Sequence, residues 1–183
     1  MQRQRDGLVT LDLGIVLETR PSRHRWGKTT YRVVDLLPGA PPADWKLLRE
    51  QDGVAVYHMA TLPLHLHRRE TEAYRLNLAS DRPAVFTILR PRQPGTPGRD
   101  YHAYEVTVSA YEGQHFLDCG DDLVEAVPMP AAVRALVEDF IDRHHVDEAF
   151  KKRKRDAKAL AAEEWPEAPV ARASRLSNKD GGA

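Results

Sequence analysis

The chain has 183 residues, with 27 basic and 27 acidic side chains, so its formal net charge is zero. That balance gives no global field to recruit nucleic acid or an anionic membrane. The length suits one domain with a real core and a tail, no run approaches the roughly 18–20 apolar residues of a membrane span, and a single cysteine, Cys119, leaves no intramolecular disulfide.

The N-terminal MQRQRDGLV has basic residues but no apolar stretch, so it does not read as a secretory signal, and the expected compartment is the cytoplasm. Residues 7–20, GLVTLDLGIVLETR, alternate in polarity. Val9, Leu11, Leu13, Ile15 and Leu17 fall on one face, which predicts a half-buried strand. PSRHRWGK reads as a loop. TTYRVVDLL is a second strand, stopped by PGAPP, which cannot continue a ladder. DWKLLRE fits a short helical turn or a strand. VAVYHMATL is a third strand.

The segment Leu62–Pro91 concentrates charge between strand-like runs. Leu64, Leu66, Tyr74, Leu76 and Leu78 share a parity, so both ends are expected to face one core. Arg68, Glu70 and Glu72 share that parity and cannot sit in the core uncompensated. The chain is therefore expected to bend, or to run past the sheet edge, at 68–72. No Gly, Pro or Asn there supports a tight hairpin turn.

Ala84–Leu89 is nearly all apolar and predicts a central strand buried on both faces. PRQPGTPGRD is a Pro/Gly loop. YHAYEVTVSAY is a strand with Tyr104, Val106, Val108 and Ala110 on one face. YEGQHFLDCG fits a short helix or turn, and DLVEAV a short strand closed by PMP. Val133, Leu136, Val137, Phe140, Ile141 and His144 then make one helical stripe. The pattern predicts a single α+β domain over 7–150. Its form is a mainly antiparallel β-sheet or partly open barrel followed by one or two C-terminal helices. A basic solvated helix over 151–164 and a disordered tail over 165–183 complete the expectation.

Four groups of residues carry candidate chemistry. His65 and His67 lie two apart, so on a strand their Cα atoms stand roughly 6.5–7 Å apart on one side. A metal needs three or four ligands, and His58, His102 and His115 are the available thirds. No motif with metal-ligand spacing occurs, so no metal is assigned. By parity, His65, His67, Arg69, Arg75 and Asn77 form a donor-rich ligand- or partner-binding face, since the planar fork of arginine suits phosphate and carboxylate. The plainer alternative is a solvated face balanced by Glu70 and Glu72. Cys119 follows His115 by four residues, close enough on a helix to activate a thiol, yet Gly120 marks the end of any such helix and a lone cysteine is usually inert. Lys151, Lys152, Arg153, Lys154 and Arg155 form a basic run. With zero net charge, this run fits a secondary protein contact better than nucleic acid. No catalytic set is legible: there is no GxGxxG after a strand, no P-loop and no GxSxG elbow.

The segments RW, YRVVDLLPGAPP, YHMATLPLHLHRRETEAYRLNL, VTVSAYEGQHFLDCGDDLVEAVPMP and VEDFIDRHHVDEAFKKRKRD, in that order, resemble an uncharacterised bacterial family. That family is often labelled molybdopterin-guanine dinucleotide biosynthesis protein A, and its members are encoded near molybdenum-dependent formate dehydrogenase genes. The resemblance spans roughly residues 13–155. A guanylyltransferase of that kind opens on a Gly-rich nucleotide loop, whereas Gly7, Gly14 and Gly27 are scattered here. The resemblance thus implies the association with formate dehydrogenase rather than the nucleotidyltransferase activity. It implies a non-enzymatic accessory factor that binds the immature enzyme or its molybdopterin cofactor, and the composition adds the cytoplasm and no membrane partner to that expectation. The alternative is an enzyme acting on a phosphorylated or pterin-type ligand in molybdenum cofactor biosynthesis, with His65, His67 or Glu72 as acid–base groups. A small structural subunit is a third reading.

Overall fold

The computed structural model describes residues 3–5, 8–22, 29–93 and 99–146. They belong to one compact unit, Met1–Val146. The predicted basic helix at 151–164, the Lys151–Arg155 run and the predicted disordered tail lie outside the described residues.

The chain runs β1 (Arg3–Arg5), β2 (Leu8–Arg20), β3 (Thr30–Pro38), β4 (Asp44–Gln51), β5 (Val54–His67), a 3₁₀ turn (Arg68–Glu70), α1 (Thr71–Leu78), β6 (Ala84–Pro91), β7 (Tyr101–Thr107), α2 (Ala110–Cys119), β8 (Leu123–Pro128) and α3 (Ala131–His144). Every strand pair is antiparallel. In the first sheet β2 is the spine. One of its edges takes β5 and then β4, and the other is shared by β1 at Leu8–Thr10 and β3 from Leu13 onward. The second sheet has the order β7-β6-β8. The sheets remain separate, so the α+β class holds in its antiparallel-sheet form. DWKLLRE resolves as a strand.

The core lies between the sheets. Leu13, Ile15 and Leu17 of β2 and Leu64 and Leu66 of β5 join Val85 and Leu89 of β6, Val106 of β7 and Val127 of β8. α3 closes it with Val133, Val137 and Phe140, all buried. Each such side chain is worth about 1.5–3 kcal/mol when fully buried, which is why the helical stripe read from sequence becomes the packed face. His144, at the end of that stripe, packs edge-on against Phe140 with ring centroids 4.7 Å apart.

Four strands carry one extra residue, each at a register shift. They are Val34 on β3, Met59 on β5, Leu48 on β4 and Tyr104 on β7. Met59 is buried, but Val34, Leu48 and Tyr104 stand among the exposed large apolar residues. A bulge residue leaves the alternation, so parity fails there. This corrects the expectation for Tyr104. It does not share the core face of Val106 and Val108; instead the Arg90 guanidinium carbon lies 3.5 Å from its ring centroid.

Candidate functional site

The largest departure from expectation falls on Leu62–Ala79. The alternation continues only to His67, and residues 71–78 form a helix, not the second strand of a pair. Tyr74, Leu76 and Leu78 fit both periods over so short a segment. Leu76 decides between them: it is 52% exposed, while Thr71, Ala73, Tyr74 and Asn77 are buried on one helical face. Glu72, Ala73, Arg75 and Leu76 are good helix formers, and the charges that no strand core can hold turn outward.

This splits the predicted polar face. His65 and His67 do share the exposed side of β5, with ring centroids 6.3 Å apart, and His65 Nδ1 lies 3.2 Å from Thr10 Oγ1. Arg69 is exposed on the 3₁₀ turn beside Arg68. Arg75 projects from α1 toward His145, with Nη1 2.5 Å from Nε2. Arginine can only donate, so Nε2 accepts. The ring proton then sits on Nδ1 and faces Thr71 Oγ1 at 2.9 Å, and that hydroxyl donates to the Arg68 carbonyl. A directed chain therefore ties the end of α3 to the turn that carries Arg68. Asn77 is buried and fully occupied. Its amide donates to the carbonyls of Ala84 and Val108, at 2.7 and 2.8 Å, and accepts the Ala84 N–H at 3.0 Å. It is a structural hub joining α1, β6 and the start of α2, not a ligand-facing group.

A second cluster adjoins the turn, and parity gave no sign of it. The Tyr74 hydroxyl accepts the His67 N–H at 3.0 Å and donates to Glu70 at 3.1 Å. Burial, and then the nearby Glu112 carboxylate, push Glu70 above the usual carboxylate range. Glu105 on β7 is raised in the same way, by burial first and then by Glu112 and Glu70. Tyr74 is raised too, mainly by burial. Glu112 accepts from Thr107 Oγ1 at 2.5 Å, while its backbone N–H donates to the Ser109 side chain that caps α2. The spacing Ser109-x-x-Glu112 is the sequence signal that would have found this corner, since it marks a helix start with an acidic third residue. α2 comes this close to the sheet because of Gly113: a Cβ there would lie 2.5 Å from the Phe86 ring. Carboxyl groups that hold protons above their normal range are acid–base candidates.

The remaining predicted groups are scattered. His58 is buried and pairs with Thr61 Oγ1 at 2.9 Å. His102 lies on β7 and His115 on α2. Among the described residues no three His, Cys, Asp or Glu side chains are placed to hold a metal ion. Cys119 Sγ and His115 Nε2 are helical neighbours at 3.9 Å, both exposed, where α2 ends at Gly120. Glu72 is exposed on α1, with its carboxylate 3.9 Å from Arg75 and 4.0 Å from His145. Among the described residues no helix is long and apolar enough to cross a membrane.

The family model described as "Protein of unknown function (DUF3305)" matches residues 12–154, from β2 past the end of α3. The chain belongs to this family. No curated protein and no solved structure matches it. The match takes in the polar turn, the carboxylate corner and every element except β1 and the first residues of β2.

Proposed function

We propose that this chain is a non-enzymatic accessory factor for a molybdenum-dependent formate dehydrogenase, acting in the cytoplasm on the immature enzyme or its molybdopterin cofactor. The motif resemblance supplies the partner. One structural observation carries the binding role: His65, His67, Arg68 and Arg69 form an exposed ridge where β5 ends. Neither Arg68 nor Arg69 has an ion pair among the described residues. Arg68 lies near enough to His144 to hold that imidazole below its ordinary value, after burial and alongside Arg143. Two guanidinium groups in water with no ion pair of their own suit an anionic partner surface or a phosphate.

The test is capture of the apo-dehydrogenase by the tagged chain, with and without cofactor. Wild type is expected to retain it, and an Arg68→Ala/Arg69→Ala variant to lose most of it. No capture under either condition, together with normal maturation in a deletion strain, would sink the reading.

A second reading is an enzyme acting on a phosphorylated or pterin-type ligand. Its support is the carboxylate corner, where Glu70 and Glu105 keep protons to higher pH than free carboxyls do. It predicts turnover of such a ligand that is abolished by Glu70→Gln. Capture without turnover favours the accessory role.

A further inference from the structure

A cleft of about 340 Å³ opens along the seam between β3 and β8, far from the ridge in sequence. Its walls are Glu18, Arg20, Thr30, Tyr31, Arg32 and Glu125. Four of these are already engaged. Glu18 accepts from Arg20 at 2.6 Å, and that bond holds the Glu18 carboxyl below its usual range. The Thr30 hydroxyl donates to the Arg20 carbonyl at 3.2 Å. The Tyr31 hydroxyl donates to Asp100 at 2.8 Å, and burial with that bond pushes it up to about 12. Its ring stacks edge-on against Tyr101, so it forms a fixed wall.

The other two are engaged less closely: Arg32 stands beside Glu18 across the β2–β3 pair and helps lower its carboxyl only at a distance. Arg32 and Glu125 each lack a hydrogen bond or ion pair from their side chains among the described residues, and they do not reach one another. Burial raises the Glu125 carboxyl, and Arg32 offsets this only at a distance. Thr87, the Cα partner of Glu125 in the β6–β8 pair, buries a hydroxyl that meets no partner. The cleft thus holds one exposed cation and one half-buried anion, neither in a hydrogen bond or ion pair among the described residues, facing the same space. Two opposite charges held apart fit a guest that is itself dipolar. The volume lies at the small end of ligand sites.

We infer that this cleft binds a small dipolar ligand, with an amine or guanidinium group on Glu125 and a carboxylate or phosphate on Arg32. The inference is independent of the partner proposed for the ridge. The test is a titration of the full-length chain followed by amide and arginine side-chain NMR shifts, with four probes. L-Arginine supplies both charges with a carboxylate, and O-phosphoethanolamine supplies both with a phosphate. Agmatine supplies cations only, and inorganic phosphate an anion only. At least one dipolar probe is expected to shift β3 and β8 signals and to bind roughly tenfold tighter than either single-charge probe. Whichever dipolar probe binds better identifies the anionic group. Glu125→Gln and Arg32→Gln are each expected to weaken that probe by roughly tenfold. Arg32 is exposed, so its variant keeps the test decisive if Glu125→Gln fails to fold. Equal binding of all four probes, shifts away from β3 and β8, or undiminished affinity in Arg32→Gln overturns the site.

Discussion

Asn77 and the Glu70–Glu105–Glu112 corner occupy the same junction of α1, β7 and α2, yet they handle buried polarity in opposite ways. Asn77 is neutral and matches every donor and acceptor it brings to a backbone partner. The corner gathers three carboxyl groups on two elements and a turn, and Glu70 and Glu105 answer this by a raised proton affinity where opposite charge would otherwise be needed. The first arrangement stabilises the fold at any pH. The second leaves a cost that varies with pH, and that kind of residue is a candidate for chemistry.

The largest break in this contrast comes from removing the hub. Asn77→Leu strands the Ala84 and Val108 backbone groups, and burying unpartnered polar groups costs about 1–3 kcal/mol each. We expect a total loss of roughly 3 kcal/mol or more in denaturant unfolding, with little change between acid and neutral pH.

Gly113→Ala is next. Its methyl meets the Phe86 ring and must lift α2 off the sheet, a strain of about 1–3 kcal/mol. Because α2 carries Glu112, the same variant should bring the titration of Glu70 toward that of a free carboxyl, as read by side-chain NMR.

The corner itself gives a smaller effect of opposite sign. The folded-state pKa values of Glu70 and Glu105 lie above their unfolded values. The stability they contribute is therefore complete below about pH 4 and is lost as pH rises through the folded values. Glu112→Gln removes a charge common to both. It should stabilise the protein by on the order of 1 kcal/mol or less near pH 8, after allowance for solvent screening, and by almost nothing near pH 4. An unchanged pH profile of unfolding would show that the three groups do not interact.

The ridge gives the smallest change in stability. Arg68→Ala/Arg69→Ala should leave it within about 0.5 kcal/mol, because these side chains stand in water. Its effect should appear only in partner capture, which separates binding residues from the hub next to them.

The sequence was legible where one rule governed. The alternation from Val9 to Leu17 became the spine of a sheet, and the stripe from Val133 to Ile141 became the packed face of α3. It was illegible where two periods fit the same letters, as at Tyr74, Leu76 and Leu78, or where an extra residue shifted the count, as at Tyr104. Of the predicted site residues, His65 and His67 stayed together because both lie before the chain leaves the strand. Arg75 and Asn77 separated because they lie after it, one on the solvent side of a helix and one at its buried contact. Glu105 and Glu112 were invisible as a pair, since only the fold brings β7 and α2 onto the turn at Glu70.

Val34 has an effect beyond its own exposure. Up to Val16 and Asp35 the β2–β3 ladder runs in one phase, and from Leu17 and Val33 it runs in another, one residue displaced. Had the first phase continued, Arg32 would stand beside Thr19, which is buried, and Tyr31 beside Arg20 at the surface. The displacement reverses both, setting Arg32 next to Glu18 and Tyr31 next to Thr19. The charge that faces Glu125 across the seam is thus selected by a one-residue slip at Val34, two positions along the same strand. A residue with no chemistry of its own determines which chemistry the cleft presents.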